Sequence, residues 1–221
     1  MATSGTQNFA LNAADVIDEA YELIGFGDGA RTGYDARKAR RSLNIMFQDW
    51  TNRGINLWKV AQVNQTMTAG TANYAMNAYD LDVLEAIVRR DGNDYSIERI
   101  TREDYFHLPN KTQQGRPTQI YVERTATPSF YVWPTPDKST DVVLTHRIQR
   151  IQDANTLTND LDVPSRFIPA MVSGLAYYMA LKNAPERAQV AKMMYEEDFA
   201  RAANEDTERG SIRIRPDFRG R

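Results

Sequence analysis

The chain has 221 residues, of which 42% are hydrophobic and 25% are charged; this composition indicates a folded globular protein and excludes a disordered one. Its 27 basic and 29 acidic residues give a formal net charge of −2, so the chain lacks the basic excess typical of proteins that grip nucleic acid. No cysteine is present, which excludes disulfides, cysteine-ligated zinc or iron–sulfur sites and cysteine nucleophiles.

No targeting segment or membrane span is expected from the hydropathy of the chain. Residues 1–10 contain neither a basic start nor an apolar run, so they do not resemble a signal peptide. The longest uncharged apolar stretch, residues 167–181, is shorter than the roughly 20 residues that cross a bilayer, and it contains Pro169 and Gly174. We interpret this stretch as a buried core helix.

Two helices are predicted at the start of the chain. Asn12 followed by Asp15 is a typical N-terminal cap, apolar residues then recur at helical spacing, and Gly25 is a typical stop. A second helix is predicted over residues 34–52, with Gly54 at its end. The first half of this second helix is strongly basic.

From Leu57 the hydrophobic period changes from helical to alternating, which predicts strands. The predicted strands cover residues 57–67, 71–76, 83–90, 95–100, 119–124, 129–133 and 141–151, with a short helix over 102–108. Asp91-Gly92-Asn93 predicts a tight hairpin turn. The frequent turn signals favour a small antiparallel sheet or barrel.

Helices return in the last quarter of the chain. A third helix is predicted to end near Asn183, and it is apolar on most sides, so it should be central. A fourth begins at Pro185 and stops at Gly210. We therefore predict an α+β fold, with a four-helix bundle-like core formed by residues 1–56 and 161–210. Residues 57–160 form an inserted antiparallel β-rich subdomain, and residues 211–221 form an extended C-terminal tail.

No catalytic or metal-binding constellation is predicted. His107 and His146 lie on different predicted elements, and neither has a second histidine at helical spacing. The acids Asp153, Asp160 and Asp162 lack the spacing and the central glycine of a calcium loop. The sequence also has no nucleophile elbow, phosphate-binding loop or zinc-protease motif. We expect a protein that is not an enzyme and has no cofactor or metal.

Two predicted helices carry opposite charge. The second helix has Arg37, Arg40 and Arg41, and the fourth has Glu197 and Glu205 on its outer side. Such complementary faces are candidates for an interface within a subunit or between subunits. The alternative is that each is the solvated side of an amphipathic helix.

Aromatic residues suggest a second possible function. Many lie in the β-rich region: Tyr95, Tyr105, Phe106, Tyr121, Phe130, Tyr131 and Trp133. A sheet platform of aromatic residues can stack bases, although few basic residues lie among these. The alternative function is therefore a nucleic-acid-binding module that uses the aromatic strands and the basic residues 37–41.

The C-terminal tail alternates basic and apolar residues. The relevant side chains are Ile212, Arg213, Ile214, Arg215, Phe218 and Arg219. In an extended chain the arginines and isoleucines point to opposite sides, which suits a partner groove that is apolar with an acidic rim. The simpler alternative is a frayed terminus.

Two segments resemble a known family. They are ARRSLN at residues 39–44, leading to NRGINLW at 52–58, and VPSRFIPA at 163–170, leading to LAYY at 175–178. Both resemble the phage head-to-tail adaptors, a family that includes the tail tubular protein A of short-tailed, T7-like phages. The order of helices, β-rich insertion, helices and tail also matches.

The resemblance implies a location at the head–tail interface of the virion, after assembly in the host cytoplasm. It implies a ring of twelve copies docked beneath the portal protein, with DNA only in transit through the central channel and no membrane partner. The helices would build the ring, and the tail residues 212–215, 218 and 219 would bind the portal. The insertion would help to seat the downstream tail or nozzle protein.

Overall fold

The fold divides into two compact units. A computed structural model describes residues 11–26, 32–54 and 57–206. One unit comprises Met1–Ser42 and Pro164–Arg221, here called the helical unit, and the other comprises Leu43–Val163, here called the sheet unit. Together they contain helices and a curled, largely antiparallel sheet, which confirms the predicted α+β class.

The described residues contain five α-helices and nine β-strands. The helices are α1 (Ala13–Leu23), α2 (Gly33–Asn52), α3 (Arg102–His107), α4 (Ile168–Asn183) and α5 (Pro185–Glu205). The strands are β1 (Val60–Thr66), β2 (Asn73–Ala75), β3 (Asp80–Arg90), β4 (Asn93–Arg99), β5 (Gln114–Gly115), β6 (Gln119–Glu123), β7 (Ser129–Trp133), β8 (Thr135–Pro136) and β9 (Val142–Gln149). Short 3-10 turns, Leu57–Lys59 and Ser165–Phe167, precede β1 and α4. None of the described helices combines the length and hydropathy that a membrane span requires.

Local sequence signals determine both ends of α1. The Asp15 N–H donates to Asn12 Oδ1 at 2.9 Å, and the Asn12 N–H donates to the Asp15 carboxylate, which completes a capping box. At the other end Gly25 has a φ of +77°. The Gly25 N–H bonds to the Glu22 carbonyl and the Phe26 N–H to the Tyr21 carbonyl, each at 2.9 Å. This Schellman motif explains why a glycine ends the helix.

In the helical unit, α4 packs against both α1 and α5. Buried residues occur on all sides of α4, as expected for a central helix. Tyr195 of α5 stacks on Tyr177, and Phe199 packs against Phe167. The predicted four-helix bundle-like core is not confirmed, because the second half of α2 groups with the sheet unit.

The unit boundaries therefore differ from the predicted segments 1–56, 57–160 and 161–210. Asn44, in the second half of α2, accepts a hydrogen bond from the Ala154 N–H at 2.8 Å. This contact bridges residues far apart in the sequence, which a periodicity pattern does not reveal. The assignment of separate roles to the predicted segments stays a prediction.

The sheet unit is built on seven strands in the order β1-β9-β3-β4-β6-β7-β2. All neighbours are antiparallel except β4 and β6, and β5 pairs in parallel with β8. The predicted hairpin joins β3 to β4 through Asp91 and Gly92, whose φ angles are 52° and 81°. Positive φ at both turn residues matches the strong twist of adjacent strands.

One face of the curled sheet encloses an apolar core. Its members are Met67, Tyr74, Met76, Val83, Ala86, Val88, Ile97, Ile120, Val122, Phe130, Val132 and Val143. Arg147 is also buried: its Nη1 donates to Asp80 Oδ2 at 2.9 Å, and its Nε donates to Thr145 Oγ1 at 2.8 Å. The buried ion pair thus adds a polar constraint to an otherwise apolar interior.

Candidate interaction surfaces

The two histidines each lie beside one glutamate. His146 Nδ1 is 2.6 Å from Glu85 Oε1 on β3, and His107 Nε2 is 3.9 Å from Glu103 Oε1 on α3. Among the described residues, no three or more histidine or acidic side chains are grouped as metal ligands. Asp162, one of the three acids considered for a calcium loop, instead accepts from Lys59 Nζ at 2.6 Å. Asp162 thus forms an ion pair with Lys59, and each histidine has a single described acidic neighbour.

The basic residues of α2 lie at the surface of the helix. Arg37 and Arg41 are exposed, and Arg40 is half-buried. Neither Arg37 nor Arg41 has an ion-pair partner within the described ranges. The structure therefore leaves two guanidinium groups of this face available to another molecule.

The acidic residues of α5 are likewise at the surface. Glu197 and Glu205 are both exposed, and neither has an ion-pair partner in the part of the chain that the structure describes. Their separation of eight residues places them on the same side of the helix. Asp198, between them, pairs with Arg201. The predicted interface residues are therefore accessible, while their role in an interface stays a prediction.

The predicted portal-binding residues lie outside the described residues. They are Ile212, Arg213, Ile214, Arg215, Phe218 and Arg219. The last described residue, Asp206, is buried and accepts a hydrogen bond from Arg166. The end of α5 is thus anchored in the helical unit, fifteen residues before the end of the given sequence.

Sequence reasoning missed an apolar patch on the helical unit. We define the apolar patch as Leu23, Val190, Met193 and Met194, whose exposed fractions are 45%, 61%, 66% and 43%. Three of these residues line a cleft of about 170 Å³, together with Ile24, Ala176 and Ala191. Met194 is exposed although it lies between two buried positions of similar spacing, because Ala191, Tyr195 and Phe199 already fill the buried side of α5. Apolar residues at 190, 193 and 194 form a second helical stripe, a signal that the sequence does contain.

The sheet unit also exposes large apolar residues, and the most exposed of those described lies on the short helix α3. Phe106, on α3, is 74% exposed. Lys111 Nζ donates to the carbonyls of Phe106 and Leu108 at 2.8 and 3.2 Å, and it lies 5.6 Å from the Phe106 ring centre. The Thr101 and Asp104 side chains form a capping box at the start of α3. These bonds stabilise both ends of α3, the helix on which Phe106 is exposed.

The aromatic residues of β6 and β7 are largely covered. Tyr105 of α3 packs on Tyr121 and Tyr131 with ring centres 5.3 and 5.2 Å away. Burial raises the pKa of Tyr105, and burial followed by the charge of Glu123 raises that of Tyr131. These rings therefore do not form an open platform for stacking bases.

Ion pairs fix the loops at one end of the sheet. Arg90 Nε bonds to both oxygens of the buried Asp141 at 3.0 and 2.9 Å, and Arg90 also pairs with Asp137. The Asp141 hydrogen bond raises the pKa of Arg90, and Arg90 in turn lowers the pKa of Asp137. The Gly70 N–H donates to the Pro136 carbonyl at 2.9 Å. Three separate loops are thus held together at this end.

Comparison with known proteins identifies the family. The sequence profile of the family described as SU10 adaptor protein matches residues 11–216, which is most of the chain. None of the curated proteins compared with the chain matches it. The finer comparison with tail tubular protein A is not confirmed, whereas the predicted relation to phage head-to-tail adaptors is. The chain therefore belongs to the SU10 adaptor protein family.

Proposed function

We propose that this phage adaptor forms a ring beneath the portal protein, joins it to the tail and gives passage to DNA. The observation that carries the proposal is the family match over residues 11–216. The ring would contain twelve copies, as the resemblance to other head-to-tail adaptors implies. Its partners are the portal protein, a downstream tail or nozzle protein and further copies of itself.

Contacts between copies form the first part of the proposal. Ring closure requires two different, complementary patches on each subunit. The exposed arginines 37 and 41, with the half-buried Arg40, provide a basic patch. Glu197 and Glu205 provide an acidic one. Such charges orient the approaching subunits and exclude wrong pairings more than they add affinity.

Contact with the portal forms the second part. Residues 212–215, 218 and 219 alternate arginine with apolar side chains, a composition that suits an apolar groove with an acidic rim. Asp206, which follows directly after α5, is held by Arg166. These tail residues therefore follow an anchored helix end. We assign these residues to portal binding.

DNA is proposed to be a transient partner during genome ejection. The formal net charge of −2 suits a channel wall along which DNA slides without being held. The covered tyrosines of β6 and β7 give no support to the alternative of a nucleic-acid-binding module. The proposed location is the head–tail interface of the virion, after assembly in the host cytoplasm, and the proposed role is structural rather than enzymatic.

Co-sedimentation with portal-bearing capsids, followed by electron microscopy, tests the proposal. The full chain should sediment with the capsids and form a twelve-fold ring at the portal vertex. Truncation after Gly210 should abolish sedimentation, while circular dichroism of the truncated protein stays that of a folded helical chain. Capsids without portal are the control. Failure of the full chain to bind portal-bearing capsids would refute the proposal.

A further inference from the structure

We infer that the apolar patch binds the outer face of α2 from a second copy. The ring interface would then have an apolar centre with ion pairs at its edges, rather than charges alone. The inference rests on the ring of the proposed function and identifies the surfaces through which neighbouring copies contact each other.

The apolar patch gathers exposed apolar side chains of α1 and α5 in and beside one cleft. Single exposed apolar residues are common on soluble proteins, but a contiguous group around a cleft marks a contact site. Val190, Met193 and Met194 occupy consecutive turns on one side of α5, and Leu23 of α1 adjoins them at the cleft of about 170 Å³. Methionine side chains are flexible and polarisable, so they adapt to the shape of a partner.

The patch is separate from the core that holds the helical unit together. Ala191, Tyr195 and Phe199 form the buried side of α5. The side chains of the patch lie beside this buried stripe, and about half of their surface remains exposed after the unit has folded. Folding of one chain therefore leaves this part of α5 without a covering element among the described residues.

The outer face of α2 has the matching composition. Tyr34, Arg37, Arg41 and Ile45 are all exposed. Their spacing of three or four residues places them on one side of the helix. An aromatic and an aliphatic residue thus bracket two arginines, so that this face offers both apolar surface and positive charge.

Charge at the edges of the patch is complementary to that face. Glu186 lies one turn before Val190, and Glu197 lies one turn after Met193. Both glutamates are exposed and neither has a described ion-pair partner. An arginine beside a carboxylate forms a two-pronged, strong ion pair. Arg37 and Arg41 on the second copy meet this requirement.

Two arginines lie near the patch. The guanidinium of Arg187 lies against Gly25, so close that a Cβ added there would be 2.3 Å from Arg187 Nη1. Arg201 pairs with Asp198. Arg187 and Glu186 both line the cleft, whereas Glu197, one turn beyond Met193, has no described ion-pair partner. The carboxylate of Glu197 is therefore the group of this edge that favours a basic partner.

The two faces belong to different helices of one chain, and both are exposed in that chain. An α2-to-α5 contact between copies is therefore heterologous: within a pair, one copy retains an unused α2 face and the other an unused α5 patch. Repetition of such a contact gives a closed ring when the rotation between subunits closes. The pairing is thus of the kind that the ring of the proposed function requires.

Cross-linking of cysteine variants tests the contact directly, because the natural chain has no cysteine. Tyr34→Cys and Met193→Cys variants are prepared separately, mixed, assembled on portal-bearing capsids and treated with a short bismaleimide. A product of twice the chain mass should form in the mixture and not with either variant alone. Leu84→Cys, an exposed position on β3, replaces Met193→Cys in the control mixture and should give no product.

Assembly of substituted chains provides the second measurement. Met193→Asp should raise the protein concentration needed for ring formation at least tenfold, and the conservative Met193→Leu should not. Arg41→Glu should impair assembly as well, and Glu197→Arg in the same chain should restore it. Circular dichroism establishes that each variant is folded.

The possible outcomes distinguish failure of this inference from failure of the proposed function. Rings without the cross-link, together with normal assembly of Met193→Asp, would overturn the inference and leave the ring intact. Absence of any ring from the natural chain on portal-bearing capsids would overturn both. If the thiol of the Met193→Cys variant is protected in the single chain and becomes reactive on truncation after Gly210, the chain's own tail covers the patch and the inference is wrong.

Discussion

The sheet unit and the helical unit differ in how they use charged side chains. In the sheet unit, Asp80 pairs with Arg147 and Asp141 with Arg90, although each pair is separated by tens of residues in the sequence. On the outer faces of the helices, exposed charges such as Arg41 and Glu197 have no ion-pair partner among the described residues. The helical unit also contains paired charges, such as Arg166 with Asp206, but the charges on the outer faces of α2 and α5 point outward without a described partner.

The buried ion pairs fix the shape of the sheet unit, whereas the exposed charges of α2 and α5 leave a surface available to a partner. Buried ion pairs constrain a fold, since removal of one partner leaves an uncompensated charge. Exposed charges contribute little to the stability of a single chain, but they orient a partner during association. We expect the sheet unit to keep its shape alone and the helical faces to gain partners on assembly.

The largest effect should come from breaking the buried pair of the sheet unit. Asp80→Ala leaves the guanidinium of Arg147 buried and uncompensated, so the free energy of unfolding should fall by about 3–5 kcal/mol. Urea unfolding measures the change. Asp94→Ala removes the partner of Arg89 in an exposed pair and should cost less than about 1 kcal/mol. Equal losses would contradict the contrast between buried and exposed charges.

The helical unit should respond mainly to loss of apolar packing. Leu175 of α4 is fully buried, so Leu175→Ala should lower the free energy of unfolding by roughly 2–5 kcal/mol. Far-ultraviolet circular dichroism during urea unfolding reports the loss. Leu181→Ala, on the exposed end of the same helix, should change it by about 0.5 kcal/mol or less. A similar cost at both positions would show that α4 is not central.

A smaller effect is expected at the end of α1. Gly25 has a φ of +77° and lies against the Arg187 guanidinium, so Gly25→Ala should cost about 1–2 kcal/mol. Gly33 has open space around its Cα, and Gly33→Ala should be neutral or stabilising by up to about 1 kcal/mol. Thermal unfolding of the two variants measures these changes in stability. A stabilised Gly25→Ala variant would contradict the role of the left-handed conformation.

The smallest expected effect concerns α3, the short helix that carries Phe106. Hydrogen bonds from Thr101 hold the pKa of Asp104 below its ordinary value. A lowered pKa in the folded state means that this contribution to stability is present above the ordinary pKa and is lost as the pH falls. Carbon-13 NMR of the Asp104 carboxyl should show the low pKa. Thr101→Val should raise it toward the ordinary value, and no change in that variant would refute the assigned cause.

Elements defined by near neighbours were predictable from the sequence. The Asn12 cap, the Gly25 stop and the Asp91-Gly92 turn each depend on a few adjacent residues, and all three are present in the structure. Alternating hydrophobicity also located the main strands to within a few residues. These signals act over short distances along the chain, where propensity and periodicity are informative.

Features that depend on distant residues were not predictable. The pairing of β1 with β9 and the parallel pairing of β4 with β6 join segments that no local pattern links. Arg147 is buried because it continues the alternation of Val143 and Thr145 along β9, and its partner Asp80 lies 67 residues earlier in the sequence. The same limit applies to the candidate interface. The exposure of Arg37 and Glu197 followed from helical spacing. The apolar patch could be identified only once the structure showed which side of α5 is covered by α4.

The pairing of β1 with β9 has a consequence for how such proteins change during evolution. Val60, near the start of the sheet unit, lies opposite Ile148, near its end, so the chain enters and leaves the sheet at neighbouring positions. A segment whose ends meet in this way can be lengthened, shortened or exchanged at a small cost in loop entropy. Recombination can therefore replace the intervening strands, and with them the surface that they expose, without rebuilding the helices on either side.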